Sequence, residues 1–172
     1  VTYSSNNEKV ASVDANGKVT AKAAGTAVIT ATSAAGKTAQ YKLTVKTPSV
    51  KLNVSAKTLY VKGTPATVTL KTTTAGVTGK VTYTSSKSSV ASVDAKGKVT
   101  AASAGTAVIT AKCGNYKATC KITVKKPTVK ATASVNTLFV GGTSQVKVDR
   151  TGLTGKVTYG SSSKSVATVS TS

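Results

Sequence analysis

The chain has 172 residues and a formal charge of +20, from 24 Lys and Arg against four acidic residues. It has no His, Trp or Met, so the usual general base and the commonest metal ligand are missing, and its 39% hydrophobic share is mostly Val and Ala, so cores must be thin and aliphatic. No run of about 18 apolar residues is present to span a bilayer and no charged-then-apolar leader opens the chain; Val1 and Ser172 read as the ends of an excerpt.

Val and Thr dominate throughout. Their branched side chains lose rotamer freedom in a helix and pack well on a pleated surface, so the expected class is all-β. Residues 1–21, Val1-Thr-Tyr-Ser-Ser to Gly17-Lys-Val-Thr-Ala21, return at 81–101 as Val81-Thr-Tyr-Thr-Ser to Gly97-Lys-Val-Thr-Ala101, and begin again at Val157-Thr-Tyr159. Gly25-Thr-Ala-Val-Ile-Thr-Ala31 matches Gly105-Thr-Ala-Val-Ile-Thr-Ala111 residue for residue, and Leu59-Tyr-Val-Lys-Gly-Thr64 comes back as Leu138-Phe-Val-Gly-Gly-Thr143. A period of about 80 residues is the size of a small domain and too long for a solenoid repeat. Pro48 and Pro127 punctuate it, since Pro cannot donate within a central ladder. The expected organisation is a complete module at 49–126, flanked by the C-terminal part of one at 1–47 and the N-terminal part of another at 128–172, joined by short linkers into an elongated string.

Within 49–126, residues 51–61 read as a split first strand and 66–72 as a second, with Val68 and Leu70 alternating against Thr and Lys. Residues 76–79 turn into a strand at 80–85 that contains Tyr83. Strands at 90–94 and 98–102 flank the turn from Asp94 to Gly97, and 105–113 with 116–125 close the module as a hairpin. About seven short strands with turns between them predict a β-sandwich. Cys113 and Cys120 fall on the inward faces of the last two strands. Three states are open to them: a disulfide, favoured outside a reducing compartment; two buried thiols; or a metal site, for which no further Cys or His is available.

Other candidate positions are structural by the same reading. Gly17 and Gly97 close matching turns, Gly25 and Gly105 open matching strands, and Tyr3, Tyr83 and Tyr159 share a repeat position that suits a core or corner better than a glycan platform. Lys112, Lys117, Lys121 and Lys125 are candidate contacts to a polyanion. Lysines spread along a chain also solvate outward faces and guard strand edges. Arg occurs once, at Arg150, and no motif gathers basic and aromatic residues, so nucleic acid is not an expected partner. No catalytic, metal or cofactor site is expected.

The string Tyr-x-Ser-Ser, Ser-Val-Ala-x-Val-Asp, Gly-Lys-Val-Thr-Ala, Ala-Gly-Thr-Ala-x-Ile-Thr-Ala and Cys-Lys-Ile-Thr-Val resembles the bacterial immunoglobulin-like domain, group 2, over nearly the whole chain. The resemblance implies tandem Greek-key sandwiches like those of intimin- and invasin-type surface proteins, serving as stalk, spacer or adhesive module. It also implies a location outside the cell or on its surface, which the cysteine pair would fit. Expected partners are other copies of the chain, neighbouring modules of the same protein, or an anionic wall polymer or polysaccharide. Half a sandwich leaves an inner face and strand edges uncovered, so residues 128–156 of one chain followed by 1–47 of the next could make up about one module, head to tail; the alternative, which is the favoured one, is that 1–47 and 128–172 are cut from a longer repeat protein.

Overall fold

In the computed structural model, which describes residues 1–170, every regular element is a strand. The first five are β1 (Thr2–Ser5), β2 (Ala11–Val13), β3 (Val19–Ala21), β4 (Gly25–Thr32) and β5 (Thr38–Val45). Next come β6 (Ser49–Leu52), β7 (Ala56–Tyr60), β8 (Thr67–Thr69), β9 (Thr72–Ala75), β10 (Thr82–Ser85), β11 (Ala91–Val93), β12 (Lys98–Ala101), β13 (Gly105–Cys113) and β14 (Tyr116–Lys125), and then β15 (Thr128–Ala133) and β16 (Val146–Thr151). The chain divides into two compact units. One holds residues 1–51, 72–82 and 111–118, and the other holds 52–71, 83–110 and the chain from 119 onward.

The second unit is built around a sandwich. One layer is the sheet β10-β13-β14-β7, the other the sheet β11-β12-β8. The period-two pattern of β14 sends Cys120, Ile122 and Val124 inward and Thr119, Lys121 and Lys125 outward. These three meet Leu59 of β7, Ala107 and Ile109 of β13, Val99 of β12, Ala91 of β11 and Leu70 in a single buried cluster to which both layers contribute. β7 closes the first layer by running parallel to β14, with Leu59 opposite Val124. β8 closes the second by running antiparallel to β12, with Val68 opposite Val99. The result is an all-β, immunoglobulin-like sandwich.

The stretch expected as one strand at 66–72 is broken. After β8, Leu70 turns into the core and donates its N–H to Gly97 O at 2.8 Å, and the Lys71 N–H is taken by Asn53 Oδ1 at 2.9 Å. Chain then resumes as β9, paired with β6. The third appearance of the Val-Thr-Tyr motif, from Val157, forms no strand among the described residues. The same position forms β1 against β4 and β10 against β13 earlier in the chain, and no strand of that kind stands beside 157–160.

Repeated polar residues make repeated bonds. Asp94 Oδ1 accepts the N–H groups of Lys96 and Lys98 at 2.9 and 2.8 Å, and Asp14 accepts those of Asn16 and Lys18, each at 2.9 Å. The Ser85 hydroxyl donates to Ala91 O at 2.6 Å, and Ser5 donates to Ala11 O at 2.6 Å. Side-chain oxygens thus satisfy turn backbone that no ladder reaches.

The disulfide expected between Cys113 and Cys120 is absent: both are free, buried thiols. Hairpin geometry explains this. A two-residue turn at Gly114-Asn115 joins β13 to β14, which sets Cys113 across from Tyr116 and carries Cys120 four residues further along, roughly 13 Å away. A bridge needs Cα atoms within about 7 Å. The Cys113 thiol donates instead to Gly79 O at 3.4 Å, while Cys120 lies in the core cluster. The pair therefore lends no support to an oxidising location.

Burial pushes the Cys120 thiol up from its ordinary value, which favours the neutral form in the folded state. The contribution is whole below the unfolded thiol's value of about 8.5 and is lost as pH rises toward the folded one. The denaturation midpoint is expected to fall as pH rises above about 8.5, and Cys120→Ala to remove part of that slope while lowering stability at neutral pH. Reductant is expected to leave the midpoint unchanged.

Candidate functional site

Residues 1–47, within the first unit, repeat half of the sandwich just described. Their sheet β1-β4-β5 places Tyr3 opposite Ala31 and Ile29 opposite Tyr41, and a separate ladder, β2-β3, sets Val13 against Val19. These match β10-β13-β14 and β11-β12 of the second unit position by position. Unmatched are the closing strands: among the described residues nothing pairs with the outer edge of β5 or of β3, where β14 and β12 have β7 and β8.

A groove of about 300 Å³ results, lined by Tyr3, Gly17, Val19, Ile29, Ala31 and Tyr41 among others. Val19 is 39% exposed where its counterpart Val99 is 0%, and Tyr41 is 65% exposed at the position where Cys120 is 0%. The residue types are those of a core, but the burial is that of a surface. The unit's own buried cluster is small, Val10, Ala11 and Ala27 with Leu43 and Val45 packed against it. Tyr41 did not stand out in the sequence. It emerges only when Pro48 is set on Pro127, which puts Tyr41, Leu43 and Val45 on Cys120, Ile122 and Val124.

The tyrosines of the repeat lie on the turn glycines. A Cβ at Gly17 would fall 2.9 Å from the Tyr3 ring, one at Gly97 would fall 2.9 Å from the Tyr83 ring, and both glycines have left-handed φ, +79° and +80°. The Tyr83 hydroxyl donates to Leu70 O at 3.4 Å. Tyr159, outside any strand, is partly exposed. Gly25 and Gly105 sit against Val10 and Val90. Lys112, Lys117, Lys121 and Lys125 are all exposed. An ion pair joins Lys147 and Asp149 at 3.4 Å on the surface, where such a pair contributes little.

Residues 79–126 match the family model of the bacterial Ig-like domain, and residues 1–35 that of the intimin immunoglobulin-like domain. Among solved structures the chain is similar to domains 4–9 of the surface layer protein SbsC, at 23% identity over 77% of this chain and 24% of that one, with a TM-score of 0.39. It is similar also to SbsC domains 4 and 5, at 28% identity over 72% and 69% of the two chains with a TM-score of 0.35, and to an EHEC O157:H7 intimin mutant, at 21% identity over 51% of each with a TM-score of 0.36. The chain spans about a quarter of the first two surface-layer structures, 24% and 28%. No curated protein matches it in sequence.

The open face predicts unequal responses at one repeat position. Ile122→Ala, in the closed core, is expected to cost about 2–5 kcal/mol in chemical denaturation, and Leu43→Ala, beside the groove, clearly less, because there the cavity opens to water.

Proposed function

We propose that the chain is a non-catalytic structural repeat region of an exported bacterial surface protein, a stalk or spacer made of modules at 1–47, 49–126 and 128–172. The observation that carries this reading is the joint at Pro127. The Thr64 N–H donates to Gly152 O at 2.8 Å, the hydroxyls of Thr64 and Thr154 stand 3.4 Å apart, and a Cβ at Gly63 would meet Pro127 at 2.6 Å. The Tyr60 ring lies so close to Gly152 that a Cβ there would collide with it. A linker braced in this way holds its neighbours in one orientation, as a rod requires and a flexible tether does not. The surface location is supported by the similarity of residues 1–35 to the intimin immunoglobulin-like domain, with the cysteines left out of the argument.

A second reading, grip on an anionic wall polymer or acidic glycan, has in its favour the +20 charge and the exposure of Lys112, Lys117, Lys121 and Lys125. Its signature would be binding that fades by about 0.5 M salt, where screening acts within about 4 Å.

The joint is tested by Gly152→Val, which adds bulk against the Tyr60 ring at a left-handed φ of +71°. Small-angle scattering is expected to show a broader distribution of long dimensions than for the parent chain, with the main unfolding transition little changed. An unchanged distribution would count against a braced rod.

A further inference from the structure

The four exposed lysines of the β13–β14 hairpin occupy one surface. On β14, Lys117, Lys121 and Lys125 recur every fourth residue on the outward face, about 13 Å from each to the next, with Thr119 and Thr123 between them. The two-residue turn that sets Cys113 across from Tyr116 also sets Lys112 of β13 directly across from Lys117. β13 and β14 are the interior strands of the sheet β10-β13-β14-β7, so protection of a strand edge does not account for these charges. Nor does ion pairing within the sheet: none of the four acidic residues, Glu8, Asp14, Asp94 and Asp149, lies on one of its strands.

Folding does not require the pair Lys112 and Lys117. Like charges directly opposite on a ladder have Cβ atoms about 5 Å apart and lower stability. In residues 1–47 the matching ladder position holds Thr32 opposite Thr38, and the hairpin of β4 and β5 forms with no charge there. Lys42 and Lys46 stand at the repeat positions of Lys121 and Lys125, so the facing pair is what distinguishes the hairpin of β13 and β14. A like-charge pair inside a sheet, answered by no carboxylate of that sheet, calls for an anion from outside the chain.

We propose that the outward face of β13 and β14 is a binding site for a flexible linear phosphodiester polymer, with Lys112 and Lys117 gripping one phosphate between them and Lys121 and Lys125 holding others further along. The side chains select this class of ligand. Lysine is a point charge without the planar fork by which arginine takes a carboxylate or a base edge, so the face reads charge and spacing. A sugar ring or a base gains from an aromatic platform, but the aromatic beside the row, Tyr60 opposite Lys125, has its ring against Gly152. Phosphates joined by a small polyol need no platform, and the hydroxyls of Thr119 and Thr123 can donate to their oxygens between the lysines. The site gives the polyanion reading a location and a ligand class, and it rests on that reading.

The test is the binding of fluorescently labelled poly(glycerol phosphate) across a salt series, with two charge-matched variants of the whole chain. Lys112→Gln with Lys117→Gln empties the pair; Lys71→Gln with Lys98→Gln removes as much charge from exposed positions off this sheet. The first variant is expected to bind about tenfold more weakly than the parent and to lower the slope of log K against log salt by about two, and the second to change affinity less than about threefold. Thermal denaturation at low salt is expected to shift upward for the first variant, because a like-charge repulsion is gone, so that its weaker binding cannot come from misfolding. Equal losses in the two variants would overturn the site and leave attraction by net charge alone. Tighter binding of polygalacturonate, a carboxylate polymer of sugar rings, at equal charge would overturn the ligand class, and a parent chain that binds neither polymer would overturn the polyanion reading together with the site.

Discussion

The structure depends on closing a thin sheet pair over an aliphatic interior. With no Trp or Met and a single Phe, the chain has no large apolar side chains to spare, and the core of the second unit is assembled from Leu, Ile, Val, Ala and a cysteine. Such a core contributes only if both layers are complete, since a residue like Val99 or Ile122 gains its full transfer free energy, about 1.5–3 kcal/mol, when water is excluded from every side. β7 and β8 are short, five and three residues, yet they supply that exclusion. Where their equivalents are not in place, in the first unit, the same sequence motif buries a cluster of three residues instead of nine.

Around that core the repeat fixes polar geometry as firmly as apolar geometry. Asp14 and Asp94, Ser5 and Ser85, and the tyrosine-on-glycine contacts recur with nearly identical distances in both units, although one core is closed and the other open. The Asp and Ser bonds link residues two to six positions apart and each tyrosine contact spans 14 positions, all within the part of the repeat that residues 1–47 and 81–126 share, and so they form without the closing strands. Local turn chemistry and global closure are separable here. The face of residues 1–47 holds its shape although nothing among the described residues covers it.

Much of this was legible in the sequence, for reasons that can be named. The hairpin of β13 and β14 was predicted at its observed bounds because alternation over nine and ten residues leaves no other reading. The break between β8 and β9 was not, because Ala66 to Thr72 alternates without interruption; it is the hydrogen bond from Leu70 to Gly97, a tertiary contact, that bends the chain there. The cysteine pairing failed for a related reason. Alternation says which face a residue occupies but not how far along the neighbouring strand it lies, and the two-residue turn puts Cys113 and Cys120 four steps out of line. The open face was foreseeable in outline from the position of Pro48, whereas Tyr41 as its most exposed aromatic had to await the structure.

Glycine at the joint shows how one position can answer to two constraints. Gly76 and Gly152 share a repeat position and both take a left-handed φ, +62° and +71°, which already disfavours other residues. At Gly76 a Cβ would meet nothing nearer than Pro48 at 3.6 Å, an ordinary contact. At Gly152 the backbone demand is joined by the Tyr60 ring, and no side chain of any size fits. Even an Asn, which visits left-handed φ at modest cost, would meet the Tyr60 ring at Gly152.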